Sequence, residues 1–190
     1  MKLYEQFPDR VTMPDGREYR LDLDFKTVLR ALDLQTEEGW TALEKEELQC
    51  RLLLADPQDC PDGVLERAQL LDAIYDLFPK PEQEGQERYL DFQQDAGKIR
   101  SGFFRLGIDL TTARMHFFQF LELLADLPED SALMRTVEIR QRPLPKPNKT
   151  NAEQIAALQK AKARVALKIS DEERRRTFAR ALKNSTNLRG

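Results

Sequence analysis

The chain is poor in the residues that most enzymes and metal proteins use for chemistry. It has one histidine, His116, and two cysteines, Cys50 and Cys60, which lie ten positions apart. A structural zinc site needs about four such ligands, and a nucleophilic site needs a base beside its nucleophile. The eight glycines form no phosphate-binding loop pattern. We therefore expect no catalytic, metal or cofactor site, and we expect both cysteines to be free, buried thiols.

The sequence also lacks a long hydrophobic run. The apolar stretch over 116–125 is far shorter than the ~20 residues that cross a bilayer, and residues 1–5 do not resemble a signal peptide. Hydrophobic residues make up 41% of the chain and charged residues 33%, which is typical of a soluble protein with one main domain. We expect it to lie in the cytoplasm and not in a membrane.

Basic residues are scarce in the first part of the chain and acidic residues in the last. Residues 1–134 hold 15 basic and 28 acidic residues, a net charge of −13, whereas residues 135–190 hold 15 and 5, a net charge of +10. The basic part either folds back on the acidic body or forms a cationic arm for an acidic partner. A role in nucleic-acid binding rests on charge alone, because no aromatic residues interleave with Arg174, Arg175 and Arg176.

The N-terminal region has the pattern of a β-hairpin. Residues 10–13 lead into the turn sequence Pro14-Asp15-Gly16, in which proline fixes its own φ and glycine tolerates a positive φ. Residues 18–23 then alternate between apolar and polar, as a return strand does.

Three amphipathic helices are predicted after the hairpin. Asp24 precedes the first, and Thr41 with Glu44 three positions later forms a capping box for a second helix that ends near residue 54. A loop over 56–63 separates it from a third helix over 64–78, which two prolines then end.

Residues 89–142 form the most aromatic block of the chain. Apolar residues recur there at spacings of three and four, which predicts one helix with a buried stripe. The stripe comprises Tyr89, Phe92, Ala96, Ile99, Phe103 and Leu106. This phase puts Asp91 and Asp95 on the solvent side with Lys98 and Arg105, so we interpret the two aspartates as surface charges and not as metal ligands. Gly97 and Gly102 each weaken such a helix by about 1 kcal/mol, which indicates a close helix crossing or a bend.

A second helix of the block is predicted after a break at residues 107–110. Either Thr111 or Thr112 is the expected N-cap, and the helix is apolar on nearly every side. We interpret His116 as a hydrogen-bonded core residue and not as a general base. Seven side chains of the two helices are expected to be buried, namely Phe92, Ile99, Phe103, Phe117, Phe120, Leu121 and Leu124.

The C-terminal third has a different composition. Residues 142–148 alternate proline with other residues, which favours an extended linker. We therefore divide the chain into a body over 1–142, a proline-rich linker over 143–150 and a basic helical arm over 151–190. The arm has a thin apolar stripe and a second capping box at Ser170, and such helices rarely fold alone. We expect it to dock on the body, on another copy or on a partner. The predicted fold class is thus mainly α, with a small N-terminal hairpin and a C-terminal helical arm.

Several short segments resemble the bacteriophage Gp15 protein family. They are Tyr89-Leu90-Asp91-Phe92, the following positions Asp95, Ile99, Ser101 and Phe103, Gly107-Ile108-Asp109-Leu110, His116-Phe117-Phe118-Gln119-Phe120, Leu127-Pro128-Glu129-Asp130 and Glu138-Ile139-Arg140. In that family the aromatic helix carries a His-Trp-Trp core, which here is His116-Phe117-Phe118, a smaller but chemically similar version. The segment Asp24-Phe25-Lys26 after the hairpin also fits, and the resemblance covers residues 10–142.

The resemblance implies a non-enzymatic tail protein of long-tailed phages or prophages, encoded between the major tail protein and the tape measure protein. Proteins in that position look like tail assembly chaperones, which bind the tape measure protein and keep it soluble until tube subunits polymerise around it. The tape measure protein is therefore the expected partner. The major tail protein and a second copy of the chain are further candidates, and the implied location is the cytoplasm of the infected or lysogenic host.

Partner-binding residues are predicted in the aromatic block and in the basic arm. They are Phe104, Phe118, Arg174, Arg175, Arg176 and Phe178. Two other functions stay open on the sequence. A structural component retained in the virion needs the same aromatic packing, and a phage regulator that binds nucleic acid through the arm should show steep salt dependence.

Overall fold

The computed structural model describes residues 6–79, 88–148 and 150–168 of the chain. This part is mainly helical and contains a two-stranded antiparallel hairpin, which confirms the predicted fold class. The elements are β1 (Arg10–Thr12), β2 (Glu18–Arg20), α1 (Phe25–Leu34), α2 (Ala42–Leu53), a 3-10 turn (Pro57–Asp59), α3 (Val64–Tyr75), α4 (Ala96–Arg105), α5 (Phe117–Ala125), α6 (Ala132–Gln141) and α7 (Ala152–Val165).

The hairpin forms where the sequence predicts it. Val11 lies opposite Tyr19 in the register of β1 and β2, and both side chains are buried. Gly16 has a φ of 87°, a left-handed conformation that favours glycine in the turn. After β2 the chain makes a bridge between Leu21 and Leu54, which attaches the hairpin to the end of α2.

The helix starts in the first half follow the predicted capping chemistry. The Asp24 side chain accepts a hydrogen bond from the backbone N–H of Lys26 at the start of α1. At α2 the Thr41 hydroxyl accepts from the Glu44 N–H, and the Glu44 carboxylate accepts from the Thr41 N–H at 2.8 Å, which completes the capping box. The helix α3 ends at Tyr75, three residues before the predicted end.

Phe120 of α5 lies at the centre of the core, where three helices meet. Its ring stacks on Phe25 of α1 at a centroid distance of 4.9 Å and on Phe103 of α4 at 5.2 Å. Five of the seven predicted core side chains are buried. The other two, Phe92 and Leu121, are half-buried and pack against the core.

The prediction of one helix from Tyr89 to Leu106 is wrong at its start, because α4 begins at Ala96. The helix ends at Arg105, one residue before the predicted end, but Leu106 is exposed and not part of a buried stripe. The carboxylate of Asp91 accepts hydrogen bonds from the N–H groups of Gln93 and Gln94, which holds a turn before α4. Helical spacing in the sequence cannot distinguish a helix from a turn whose side chains reach the same core.

The surface position predicted for Asp91 and Asp95 is also wrong. Asp91 is 8% exposed and Asp95 is 0% exposed. Asp95 lies immediately before α4, and its carboxylate points into the protein, where it meets Arg140 of α6. Both carboxylates are therefore structural groups inside the body.

The N-cap of α5 is His116, and not Thr111 or Thr112 as predicted. The Nδ1 atom of His116 accepts a hydrogen bond from the Phe118 N–H at 3.2 Å, and Nε2 lies 3.0 Å from the Pro8 carbonyl. These two contacts fit the neutral tautomer with its proton on Nε2. A bridge between Asp24 and His116 also joins the starts of α1 and α5. The half-buried histidine thus has a structural role.

The helix α7 docks on the body through α6. The Lys162 ammonium donates to the Arg140 carbonyl at 2.6 Å, and the Arg140 Nε–H donates to the Val165 carbonyl at 2.6 Å. The helix has no buried residue, and residues 142–148 before it are exposed. The arm was expected to dock on the body, on another copy or on a partner, and its described segment docks on the body. The capping box predicted at Ser170 lies outside the described residues.

Candidate partner-binding surface

The outward face of α4 combines an open backbone with an exposed aromatic ring. Gly97, Arg100 and Phe104 follow one another at spacings of three and four, so they lie on one side of the helix. Phe104 is 73% exposed, and a Cβ built at Gly97 has no neighbouring atom within 4 Å. This face is therefore not used for packing within the described part of the body.

The opposite side of α4 explains the second glycine of the helix. A Cβ at Gly102 lies 2.8 Å from Cδ1 of Leu127, closer than side chains pack. Gly102 therefore allows the chain after α5 to cross α4 closely. The expectation of a close crossing is met at Gly102 and not at Gly97, which faces open space.

An apolar cavity of about 170 Å³ lies beside the outward face of α4. Its lining comes from α1, α4, α5, the turn before α4 and the loop before α5, and comprises Phe25, Leu29, Phe92, Ala96, Ile99, Arg100, Leu110, Thr111 and Phe120. The rings of Phe25 and Phe120, which stack in the core, thus also line this cavity. Arg100 and Thr111 are exposed, so the cavity reaches the surface beside them.

Two cations lie at the mouth of this cavity. The Lys26 ammonium donates to the Thr111 carbonyl at 2.9 Å and sits 5.6 Å from the centroid of the Phe25 ring. Asp109 partly balances this charge: its pKa is lowered, chiefly by hydrogen bonds from Thr111, with a smaller contribution from Lys26. Arg100 forms no ion pair with any residue of the described part. Arg100 is thus the cation available to a partner.

Four other exposed apolar side chains lie near the starts of α2 and α3, which contribute nothing to the cavity. Trp40 precedes the N-cap of α2 and Leu43 lies in its first turn, and Val64 and Leu65 are at the start of α3. Leu65 is 71% exposed, close to the value for Phe104. Leu65 therefore provides a matched reference for the exposed ring on α4.

The predicted partner-binding residues fall into three groups. Phe104 is exposed on the outward face of α4. Phe118 is half-buried in an aromatic cluster, with ring centroids 5.9 Å from Phe7 and 6.1 Å from Phe78. Packing in this cluster accounts for the Phe118 ring without a partner. The remaining four, Arg174, Arg175, Arg176 and Phe178, lie outside the described residues.

A buried ion pair joins the aromatic block to α6 and α7. Arg140 donates to both Asp95 oxygens, with Nη1 2.6 Å from Oδ2 and Nη2 3.0 Å from Oδ1. Lys98 donates to Oδ1 at 2.8 Å, and the Asp91 N–H donates to Oδ2 at 3.2 Å. Arg140 also donates to the Tyr89 carbonyl at 2.8 Å. One carboxylate thus fixes the turn before α4, α4 itself and α6.

The electrostatics of Asp95 follow from this geometry. Burial acts to raise its pKa, but the hydrogen bonds from Arg140, Lys98 and the Asp91 backbone outweigh burial and hold the pKa below its ordinary value. The carboxylate is therefore charged at neutral pH. Sequence reasoning missed this pair because Asp95 and Arg140 are 45 positions apart; the available signal was that both lie in segments that resemble the Gp15 family.

The two cysteines have the free, buried state predicted for them. The pKa of the Cys50 thiol is raised to about 12, mainly by burial and to a smaller extent by the contact with Cys60. A thiol with such a pKa is protonated at neutral pH, and the thiolate is the nucleophilic form. The Cys50 thiol is therefore suited to packing in the core and not to nucleophilic chemistry.

Within residues 6–79, 88–148 and 150–168, no group of three or more histidine, cysteine, aspartate or glutamate side chains is placed to hold a metal ion. Among the same residues, none of the helices has the length and apolar character needed to cross a membrane.

Comparison with known proteins identifies the chain at the level of a family. No curated protein and no solved structure shows significant similarity to it. The family model described as Bacteriophage Gp15 protein matches residues 3–167 of the 190. The match extends beyond the segments that suggested the resemblance, and it includes the linker and α7. Because this family model covers most of the chain, the protein belongs to the Gp15 family of bacteriophage structural or assembly proteins.

Proposed function

We propose that the protein is a non-enzymatic tail assembly chaperone that binds the tape measure protein and keeps it soluble before the tail tube polymerises. The observation that carries this proposal is the apolar cavity beside the unpacked face of α4, in a member of a phage structural or assembly family. An exposed Phe104 next to such a cavity is suited to binding another protein.

The physical requirements of a tape measure chaperone fit a small surface of this kind. A long, apolar helical protein exposes more hydrophobic surface than a soluble monomer tolerates. Many copies that each cover a short segment can shield it, and the binding of each copy must be weak enough for tube subunits to displace it. A cavity for one side chain, flanked by one exposed ring, provides limited affinity per copy.

The basic arm supplies the second element of the proposal. Residues 151–190 hold 10 basic and 4 acidic residues, a net charge of +6, which attracts acidic segments over a Debye length of roughly 8 Å at physiological salt. Arg174, Arg175, Arg176 and Phe178 enter the proposal through their sequence alone. Their contribution is to the rate of encounter and to reach.

Co-expression with the tape measure protein of the same locus tests the proposal. We expect the soluble yield of the tape measure protein to rise with this chain present, and the two proteins to purify together. An equally insoluble tape measure protein across a range of expression ratios contradicts the chaperone function.

The same assay separates the two parts of the surface. Replacing Arg174, Arg175 and Arg176 by glutamate should weaken association mainly at low salt, because exposed charges are screened. Replacing Phe104 by alanine should weaken it at every salt concentration, because apolar burial is not screened. Leu65→Ala, at a similarly exposed position on α3, is the control and should leave association unchanged.

The family assignment also favours a second candidate, a structural tail component retained in the virion. Mass spectrometry of purified particles distinguishes the two functions. A chaperone should be absent from mature particles, and a structural component should be present at a fixed ratio to the tube protein.

A further inference from the structure

We infer that the cavity and the outward face of α4 bind a helical segment of the tape measure protein that carries one apolar side chain and, about one turn away, a carboxylate. The inference rests on the proposed function and adds the chemistry of the segment that is recognised. Three features of the surface specify that segment: the size of the cavity, the position of Arg100 and the open backbone at Gly97.

The size of the cavity specifies the apolar side chain. An apolar cavity of about 150 Å³ in another protein admits benzene, so the cavity of about 170 Å³ here accommodates one leucine or phenylalanine side chain. Its lining is almost entirely apolar, and the rings of Phe25 and Phe120 hold part of it rigidly through their stacking at 4.9 Å. A polar side chain in this cavity loses its hydrogen bonds to water without replacement.

The position of Arg100 specifies the carboxylate. Arg100 lines the cavity and is exposed, and no residue of the described part forms an ion pair with it. A guanidinium binds a carboxylate through two parallel hydrogen bonds. A cation beside an apolar cavity therefore selects an apolar side chain with an acidic neighbour, and the cation at Lys26 favours the same sign of charge.

The open backbone at Gly97 specifies a close, extended contact. Gly97 and Ser101 are small and exposed, and they lie one turn apart on the same side of α4 as Phe104. Small residues at this spacing let another helix approach the backbone of α4. The partner helix can then contact Phe104 with its next turn while its anchor side chain occupies the cavity.

Charge argues against the chain's own C-terminal segment as the occupant. Residues 169–190 contain six basic and three acidic residues, which disfavours a position beside Arg100 and Lys26. A second copy of the chain is another alternative, and a rise in molecular mass with concentration that Ala96→Phe abolishes would assign the cavity to it.

The test uses overlapping peptides from the whole cognate tape measure protein, immobilised and probed with the purified full-length chain. We expect the chain to select peptides with a leucine or phenylalanine three or four positions from an aspartate or glutamate. Substitution of that apolar residue by alanine should weaken binding by about tenfold or more, since burial of such a side chain contributes about 1.5–3 kcal/mol.

Variants of the chain identify the site. Ala96→Phe fills the cavity and should reduce peptide binding about tenfold, whereas Ala132→Phe should leave it unchanged. Ala132 is a matched control because it is the first residue of α6, as Ala96 is of α4, and it is exposed. Thermal melts of both variants show whether they fold.

A charge exchange provides a variant without risk to the core. Arg100→Glu should weaken binding about fivefold at low salt, and a peptide whose acidic residue is changed to lysine should restore it. Arg135→Glu, at an exposed arginine of α6, is the control.

The outcomes separate this inference from the function on which it rests. If the chain solubilises the tape measure protein but Ala96→Phe and Arg100→Glu bind its peptides as well as the unaltered chain does, the inference is wrong and the chaperone function stands. Selection of peptides without an acidic residue overturns it equally. If the chain neither solubilises the protein nor binds any of its peptides, both proposals fail.

Discussion

The core around Phe120 and the attachment of α7 are stabilised in opposite ways. Phe120 is 1% exposed and stacks on the rings of Phe25, Phe103 and Phe117, so apolar burial and dispersion hold α1, α4 and α5 together. In contrast, α7 has no buried residue. It and the residues just after it are tied to the body by hydrogen bonds of Val165 and Lys162 with Arg140 and of Lys168 with Gln94. The core therefore depends on the close packing of apolar side chains, and the attachment of α7 depends on a small number of polar contacts.

This difference bears on how the proposed chaperone would work. A rigid core keeps the cavity open and its lining in place, whereas a segment held by a few polar contacts can leave the body at low cost in free energy. The Asp95–Arg140 pair connects the two regions, because Arg140 binds the buried carboxylate with its guanidinium and α7 through Val165.

The largest effect is expected in the aromatic core. Phe120→Ala should lower the free energy of unfolding by about 3–5 kcal/mol, because it removes a fully buried ring from three stacking contacts. Phe104→Ala is the matched control: at 73% exposure it should change the free energy by less than ~0.5 kcal/mol. Denaturant melts measure both, and a cost below about 1 kcal/mol for Phe120→Ala contradicts its central position.

The next largest effect on stability is expected at the ion pair between Asp95 and Arg140. Arg140→Met leaves the Asp95 carboxylate buried without its bidentate partner and should cost about 3 kcal/mol at neutral pH. Arg105→Met is the control, since its partner Asp130 is 71% exposed, and its effect should be small. Equal effects of the two variants would show that burial of Asp95 does not matter.

Acidification should reduce the difference between Arg140→Met and the unaltered chain. The pKa of Asp95 is lowered in the folded protein, so the stability that its partners provide is fully present above its ordinary pKa of 3.8 and is lost as the pH falls through the lower folded value. Below that range a protonated Asp95 no longer requires Arg140. A difference that stays constant from neutral pH to below pH ~3 contradicts this assignment.

Removal of the arm should have a smaller effect than either substitution. Truncation after Arg142 removes the hydrogen bonds of Val165 and Lys162 to Arg140 and the two between Lys168 and Gln94. It should cost about 2 kcal/mol, because bonds at the surface lie at the lower end of about 0.5–1.5 kcal/mol each. The remaining body should still unfold cooperatively in denaturant. Aggregation or loss of cooperativity would show that the arm covers part of the core.

The sequence predicts the apolar region better than the polar one, for a physical reason. The hairpin turn at Gly16, the cap at Asp24 and the capping box at Thr41 are local signals, and all three occur in the structure. The core position of Phe120 follows from helical periodicity, which one segment is sufficient to reveal.

The interactions that sequence reasoning misplaced depend on distant segments. The helical spacing of its own segment predicts a surface position for Asp95. Its burial is favourable only because Arg140 approaches it from α6. His116 caps α5 because Phe7 and Pro8 approach its ring from the N-terminal region. The candidate partner-binding surface could be predicted only in part. Phe104 was predicted to bind a partner, but the cavity was not predicted, because its lining comes from five separate parts of the chain.

The smallest effects are expected at the two glycines of α4, and they should have opposite signs. Gly97→Ala should stabilise the protein by about 0.5–1 kcal/mol, because alanine favours the helix and meets only open space there. Gly102→Ala should destabilise it by about 1 kcal/mol, since its Cβ would lie 2.8 Å from the buried Leu127. Thermal and denaturant melts measure the pair. If Gly97→Ala raises stability but weakens the proposed binding of the tape measure protein, then Gly97 is required for the partner and not for the fold. If the variant has raised stability and unchanged binding, that result contradicts a close approach of the partner helix at Gly97.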